Sequence, residues 1–303
     1  MIAWLGRYLN RRVVPNPIFV AGIGRSGTSV LLRALGQHPW VLPAWGEAPL
    51  IRSFGELAGF LSYGDHQEYY RETLNVPEAY FVGRLQRLCF EYVAGTNYGL
   101  GRYVDSLLGR GLAKGPRQGL GPYVKGVIGR IPSTFGKRHW TAKLLPKMQE
   151  YHGLLHLYPG SKVIYIVRNG LEMVHSRTRF HGFRDLSFES HCYTWTESVE
   201  DNRHLVQEDA SMLVRHERLV ADPEAFFREI YDFTGLKQDQ GPIEFVTNTL
   251  MIPLDEETKD GVDVKEAFRK RKPPYEDWTL QQRDTFKRIA GGAMDELGYD
   301  IPF

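Results

Sequence analysis

Cysteine is scarce in this sequence, and long apolar runs are missing. The chain of 303 residues contains two cysteines, Cys89 and Cys192, which excludes both a disulfide framework and a cysteine-rich metal site. No uninterrupted apolar segment approaches the roughly 18 residues of a membrane-spanning helix, and the amino-terminal residues lack the apolar core of a signal peptide. We therefore expect a cytoplasmic protein.

An excess of charge of one sign is also missing. The 38 basic and 36 acidic side chains leave a formal net charge of +2. Nucleic-acid binding ordinarily requires a concentrated basic surface, so we expect no nucleic-acid partner and look for anion sites in local clusters. The segment 1–12 combines an apolar side with three arginines. Two interpretations of it stay open: a helix over residues 1–15 that packs on its own domain, or a weak peripheral contact with a membrane.

The order of apolar runs and turns predicts an α/β fold. Strands are expected at 18–21, 162–167 and 210–215, and helices at 28–37, 171–179, 188–207, 224–234 and 280–297. A strand, a turn and a helix recur in that order, which is typical of a mainly parallel sheet flanked by helices. Because the sequence has no internal repeat and no second domain boundary, residues 1–303 are predicted to form one domain with helical and loop insertions.

A glycine-rich region interrupts this pattern. Residues 99–136 contain ten glycines and show no strand period, which indicates loops or broken helices. The wider segment of about 50–140 is therefore predicted to be an insertion. Two roles stay open for it: a cover on the acceptor side of a binding site, or a surface excursion.

The stretch GIGRSGTS at residues 22–29 has the spacing of a phosphate-binding loop. Gly22, Gly27 and Ser29 fall on the pattern G-x-x-x-x-G-K-[ST], but Thr28 stands where the lysine belongs. A glycine-bearing turn ahead of a helix points backbone N–H groups at an anion, and Arg25 adds a guanidinium. We therefore predict that the loop holds a terminal phosphate or sulfonate.

The clearest apolar strand ends in a cation where a nucleotide triphosphatase would have a magnesium ligand. KVIYIV is followed by Arg168, whereas a Walker B strand ends in aspartate. Reversing this charge replaces a metal ligand by a second anion ligand. Asp105 and Asp222 also follow short apolar pieces, so a P-loop kinase with a degenerate loop stays an alternative.

Together these motifs resemble those of the sulfotransferases that use 3'-phosphoadenosine 5'-phosphosulfate (PAPS). Their 5'-phosphosulfate loop has Lys or Arg before Ser-Gly-Thr-Thr or a variant, which residues 25–29 match. Their 3'-phosphate site has an arginine at a strand end and a serine eight positions later, as Arg168 and Ser176 stand here. HPWVLPAWGEAPLI is similar to the HP…GE segment of the tyrosylprotein and related bacterial branches. The resemblance covers most of the chain and is weakest across residues 50–140.

The resemblance implies a P-loop-like three-layer fold and an enzyme without a metal. The donor would be PAPS, with 3',5'-ADP as product, and the acceptor a hydroxyl of a carbohydrate, a lipid-linked sugar or a small alcohol or phenol. The residues it assigns to the 5'-phosphate are Gly24, Arg25, Ser26, Gly27, Thr28 and Ser29. Arg168 and Ser176 would bind the 3'-phosphate, with Arg179 as a helper. The acceptor and the oligomeric state stay open, as does a non-catalytic module that binds a nucleotide or an anionic glycan.

The catalytic roles implied by the resemblance fall on Arg25, Glu47 and Lys143. Arg25 would contact the leaving oxygen, Glu47 would be the base, and Lys143 would stabilise the transferring sulfonate. The alternatives to these assignments are His66 or His139 as the base and Lys147 in place of Lys143. A basic run resembles the segment that closes on the 3'-phosphate in several members of the family, and it consists of Arg269, Lys270, Arg271 and Lys272.

Overall fold

A computed structural model describes the chain over residues 16–47, 137–144, 148–183, 185–203, 209–249 and 273–303, together with residues 82, 83, 86 and 89. Several predictions lie outside these residues. They concern the amino-terminal helix over 1–15, most of the segment 50–140 with its His66, Lys147, and the basic run 269–272.

The described residues form strands and helices that alternate along the chain. The strands are β1 (Asn16–Ala21), β2 (Val41–Glu47), β3 (His139–Leu144), β4 (Lys162–Val167) and β5 (Ser211–Arg215). The helices are α1 (Thr28–Leu35), α2 (Met148–Leu157), α3 (Gly170–Arg179), α4 (Phe188–Asn202), α5 (His216–Ala221), α6 (Pro223–Thr234), α7 (Gln240–Thr249) and α8 (Leu280–Glu296). A short 3-10 helix at Pro274–Asp277 precedes α8.

The five strands form one sheet in the order β2-β3-β1-β4-β5, and every neighbouring pair is parallel. The prediction of a central, mainly parallel sheet flanked by helices is confirmed, and so are the three predicted strands. Because β1 is central, it pairs with β3 on one side and with β4 on the other. The turns that follow β1 and β4 therefore meet at one edge of the sheet.

Two strands, β2 and β3, were not predicted from the sequence. In β2, Pro43 removes a backbone donor, which is tolerated because this strand lies at the edge of the sheet. The pairing of β2 with β3 also shifts register between Pro43 and Glu47. In β3, Thr141 and Lys143 alternate with apolar residues, so no continuous apolar run marks the strand. Local sequence signals for both strands are therefore weak.

The core lies on both faces of the sheet, as the alternation along β1 dictates. Phe19 and Ala21 pack on one face with residues of α2, α3, α4 and α8. Ile18 and Val20 pack on the other face with residues of α1, α5, α6 and α7. This arrangement is the three-layer fold expected from the sequence. Within the described residues, no helix is long and apolar enough to cross a membrane.

Helix ends follow the signals in the sequence. Asp222 accepts a hydrogen bond from the Ala225 amide at 3.0 Å and starts α6, and Gly235 ends that helix with φ +70°. Thr279 and Gln282 form a capping box at the start of α8. Each device satisfies backbone groups that a helix terminus leaves without an internal partner.

Trp140 offers a test of the core on one face of the sheet. Its buried ring packs edge-to-face against Phe19 and Tyr158, with centroids 5.6 and 5.5 Å apart. We expect Trp140→Ala to lower the free energy of unfolding by about 3–5 kcal/mol in urea denaturation. Thr141→Val is the neighbouring control: the buried Thr141 hydroxyl has no hydrogen-bond partner among the described residues. This control should not lose stability. Equal losses for both variants would contradict the role of the Trp140 ring in the core.

Candidate functional site

The candidate site lies at the carboxyl edge of the sheet, where the loop after β1 meets the end of β4. In the loop, both the amide and the hydroxyl of Ser26 donate to the Ile23 carbonyl, at 3.2 and 2.7 Å. The amides of Val30 and Leu31 donate to the Gly27 carbonyl at 3.0 and 3.1 Å, which starts α1 directly after the loop. The geometry is that of a turn whose following helix presents its N-terminus to an anion.

The loop depends on backbone conformations that side chains oppose. Gly22 has φ +148°, and a Cβ there would lie 2.6 Å from the Ile166 carbonyl oxygen. Gly27 has φ +99°, and a Cβ there would lie 2.4 Å from Cδ2 of His216. Arg25 has φ +80°, unusual for a residue with a side chain. Both glycines are therefore required by close approach as well as by conformation.

The structure brings the two predicted phosphate motifs into contact. Nε of Arg25 donates to Oγ of Ser176 at 3.0 Å, although the two residues are 151 positions apart. The Arg25 guanidinium also lies over the ring of Phe180, 4.6 Å from its centroid. Partial burial lowers the pKa of Arg25, but a guanidinium keeps its proton in proteins. A fixed positive charge therefore lies between the loop and α3.

Arg168 extends from the end of β4 toward the same place. One guanidinium nitrogen lies 3.5 Å from the Arg25 carbonyl oxygen, and the other forms an ion pair with Glu172 at 3.0 Å. The backbone here is held separately, because the Trp195 indole N–H donates to the Arg168 carbonyl at 3.0 Å. Arg168, Ser176 and Arg25 thus form one polar cluster. Arg179 lies on α3 with a guanidinium nitrogen 3.5 Å from Nε2 of His175.

A carboxylate that the sequence analysis missed supports the turn after β4. Glu217 accepts from the Asn169 amide at 2.8 Å with one oxygen and from the Tyr299 hydroxyl at 3.0 Å with the other. Burial, together with Glu217, raises the pKa of Tyr299, so the hydroxyl stays protonated and donates. The signal that could have found Glu217 is its position two residues after β5, in the segment RHERL.

His216 fills the space beneath Gly27 and is also absent from the sequence predictions. Burial, and to a smaller extent the charge of Arg168, lower the pKa of His216 to about 3. The imidazole is therefore neutral over the physiological range. It supports the loop by packing and adds no charge to the cluster.

Lys143 and Glu47 lie opposite each other at the carboxyl ends of β3 and β2. Their Cα atoms are register partners, and Lys143 also pairs with Val20 next to the loop. His139 lies at the other end of β3, paired with Asn16 and Val41. A six-residue strand is about 17–20 Å long, so the structure places His139 at the wrong edge of the sheet for the base considered from the sequence.

The residues of the loop are suited to an anion of the phosphate type. Ser26 and Thr28 are buried in the turn, whereas Arg25 and Ser29 are exposed. A turn of this kind can offer backbone N–H groups to an anion, while the amides of Ser26, Val30 and Leu31 donate within the turn itself. Among the described residues, no group of three or more histidine, cysteine, aspartate or glutamate side chains is arranged to hold a metal ion.

Comparison with known proteins identifies relatives of the chain. Residues 17–240 match a family model described as the sulfotransferase family. The chain is 25% identical over 242 residues to an uncharacterized protein of Aquifex aeolicus, covering 76% of this chain and 26% of that protein. It is 22% identical over 247 residues to the protein-tyrosine sulfotransferase of Drosophila melanogaster, covering 78% and 42%. The chain thus spans less than half the length of either relative.

A solved structure with the same fold is the sulfotransferase domain of the Synechococcus PCC 7002 olefin synthase. The TM-score is 0.50 at 17% identity, and the superposition covers 96% of this chain and 98% of that domain. At this identity the likeness concerns the fold, with a central parallel sheet flanked by helices.

Gly27→Ala tests the close approach over His216. We expect it to lower the free energy of unfolding by at least about 1 kcal/mol more than Gly235→Ala, because both alanines enter a positive-φ conformation but only Gly27 faces a collision. Urea unfolding measures both losses. A double-mutant cycle with His216→Ala should show that the two positions are coupled, and strict additivity would contradict the contact.

The pH dependence of stability tests the buried His216. The pKa of His216 is about 3 in the folded protein, and its ordinary value of 6.5 applies to the unfolded chain. The stability that the neutral imidazole provides is therefore fully present above pH 6.5 and is lost as the pH falls toward 3. Between pH 7 and 5.5, this one group should lower the free energy of unfolding by about 1 kcal/mol. His216→Gln should remove that part of the pH dependence, and His181→Asn, at an exposed histidine, should retain it.

Proposed function

The chain belongs to the sulfotransferase family, and on that basis we propose that it transfers a sulfuryl group from PAPS to a hydroxyl acceptor. The observation that carries the proposal is the contact between Arg25 and Ser176, at 3.0 Å. A donor with a 5'-phosphosulfate and a 3'-phosphate needs two anion sites close together. The loop after β1 supports one such site, and Arg168 at the end of β4 together with Ser176 on α3 supports the other, at the same edge of the sheet.

The 5'-phosphosulfate end would be held by the loop. Gly24 and Gly27 would let the backbone approach the anion, and the amides of Thr28 and Ser29 at the start of α1 would donate to it. The hydroxyls of Thr28 and Ser29 would add further donors, and the Ser26 hydroxyl would join them by leaving the Ile23 carbonyl, to which it donates in this structure. Arg25 would contact the phosphate and the oxygen that leaves, because its guanidinium is the exposed cation of the loop.

The 3'-phosphate end would be held by Arg168 and Ser176. Arg168 presents a charged fork suited to a phosphate, and its backbone is fixed by Trp195 and by the neighbouring Asn169–Glu217 bond. In the structure its guanidinium pairs with Glu172. The 3'-phosphate would therefore compete with, or join, that carboxylate.

The chemistry requires a base for the acceptor and positive charge for the transferring group. When bound, PAPS supplies the sulfuryl group, and the bond between sulfur and the 5'-phosphate oxygen breaks as the bond to the acceptor oxygen forms. Glu47 would take the proton of the acceptor hydroxyl. Lys143 would stabilise charge on the sulfonyl oxygens, and its register with Glu47 supports a joint role.

The proposed acceptors are a carbohydrate, a lipid-linked sugar or a small alcohol or phenol. The segment of about 50–140, where we expect the acceptor to bind, lies largely outside the described residues. The acceptor class therefore rests on the resemblance between the sequences. Mass spectrometry of extracts incubated with the protein and PAPS, searched for a gain of one SO3 group, identifies the acceptor directly.

Nucleotide binding tests the donor. We expect 3',5'-ADP to raise the melting temperature without magnesium, and ADP, which lacks the 3'-phosphate, to raise it less. Arg168→Ala should lower the affinity for 3',5'-ADP by about 10- to 100-fold, because a charge-assisted hydrogen bond is lost. The affinity for ADP should stay nearly unchanged. Arg228→Ala, at an exposed arginine of α6, is the control. Magnesium-dependent ATP binding with a phosphorylated product would favour a kinase instead.

The same variants separate binding from transfer. Glu47→Gln should keep the affinity for 3',5'-ADP and lower the transfer of labelled sulfate by about 100-fold or more. If the wild-type chain binds the nucleotide but transfers no label across a broad acceptor panel, a non-catalytic binding module is the better description.

A further inference from the structure

Arg177 is a buried cation next to Ser176 that the functions above do not use. Its side chain lies on α3 and is 5% exposed. Nε of Arg177 donates to Nδ1 of His191 at 3.3 Å, and the guanidinium lies 4.0 Å from the ring centroid of Phe183. Among the described residues, no carboxylate forms an ion pair with it.

The partners of Arg177 do not neutralise its charge. Burial and the nearby guanidinium lower the pKa of His191, so this imidazole is neutral and its Nδ1 accepts the bond from Arg177. The other ring nitrogen of His191 is buried without a hydrogen-bond partner among the described residues. Phe183 offers only the face of its ring. Burying a charge without a counter-ion is unfavourable, which makes an anion from outside the described residues the expected partner.

Arg177 lies against the loop after β1, next to Gly24. A Cβ built on Gly24 would be 3.6 Å from Nη1 of Arg177 and 3.2 Å from Cζ of Phe183. Gly24 precedes Arg25, whose guanidinium lies on Phe180, and the rings of Phe180 and Phe183 are 5.4 Å apart. Two arginines are thus held against one aromatic pair, one exposed on the loop and one buried beside it.

We propose that Arg177 supplies a buried counter-charge for the anion held by the loop, as a positioning residue that acts through the backbone around Gly24. The inference rests on the proposed function, in which that anion is the 5'-phosphosulfate end of the donor. A guanidinium in a water-poor position is screened less than one at the surface. Arg177 therefore favours a doubly charged group at the loop without touching it, while Arg25 makes the direct contact.

The proposal predicts opposite effects on stability and on binding. Replacing the buried charge by an apolar chain of similar length relieves its desolvation, so Arg177→Met should not lower the melting temperature of the ligand-free protein. The same change should lower the affinity of the protein for the anion. If Arg177 served only to hold α3 and α4 together through His191, the substitution would lower stability and leave anion affinity intact.

The test measures the affinity of three probes, 3',5'-ADP, ADP and pyrophosphate, for the full chain. Arg177→Met should lower the affinity for all three probes by about 10-fold or more, because the only feature that the three share is a phosphate group that can bind at the loop. Arg168→Ala should weaken 3',5'-ADP alone. Arg177→Lys keeps the positive charge but loses the planar guanidinium, and its affinity for each probe should stay within about 3-fold of the wild-type value. Arg228→Met removes an exposed charge and is the matched control for net charge.

The outcomes separate this proposal from the proposed function. If wild type binds pyrophosphate but neither nucleotide, and Arg177→Met loses pyrophosphate, the donor assignment fails and the role of Arg177 stands. If Arg177→Met binds all three probes as wild type does, the role of Arg177 is wrong whatever the donor is. If Arg177→Met does not fold, Arg177→Lys decides: retained affinity supports the proposal, and a 10-fold loss in a folded protein overturns it.

Discussion

The parallel register of β1 between β3 and β4 is the constraint on which the candidate site depends. Ala21, the last residue of β1, pairs with Leu144 and with Tyr165. Because β4 continues to Val167, its end passes beneath the loop that follows β1, so closely that the Ile166 carbonyl excludes a side chain at Gly22. Contact between two motifs far apart in the sequence is a direct result of this stagger.

Support for the site comes from elements on both faces of the sheet. β5 is followed by His216, which fills the space below Gly27, and by Glu217, which holds the turn after β4. From the other face, α4 contributes the Trp195 indole. Among the described residues, Arg25 and Arg177 lie against neutral or aromatic neighbours, and Arg168 pairs with Glu172. A chain with a net charge of only +2 therefore concentrates positive charge at one place.

Much of this arrangement was predicted from the sequence, and the rest has physical reasons for escaping it. β1, β4 and the glycine loop carry strong local signals, as does the spacing between Arg168 and Ser176. β2 and β3 do not, because their stability comes from pairing with neighbours and their own residues are of mixed polarity. Arg177 was missed for a similar reason: only the folded chain shows that its side chain is buried next to Gly24.

Arg25 combines two properties that usually exclude each other. Its φ is +80°, a conformation that glycine adopts without strain. For a residue with a side chain, this conformation costs about 1–2 kcal/mol of conformational free energy. Glycine here would relax the turn but remove the cation. With arginine at this position, the backbone strain is present in the folded protein before any ligand binds. The backbone and the guanidinium are therefore already positioned for an anion. The loop is thereby preorganised, and ordering Arg25 need not be repeated at each encounter with a ligand.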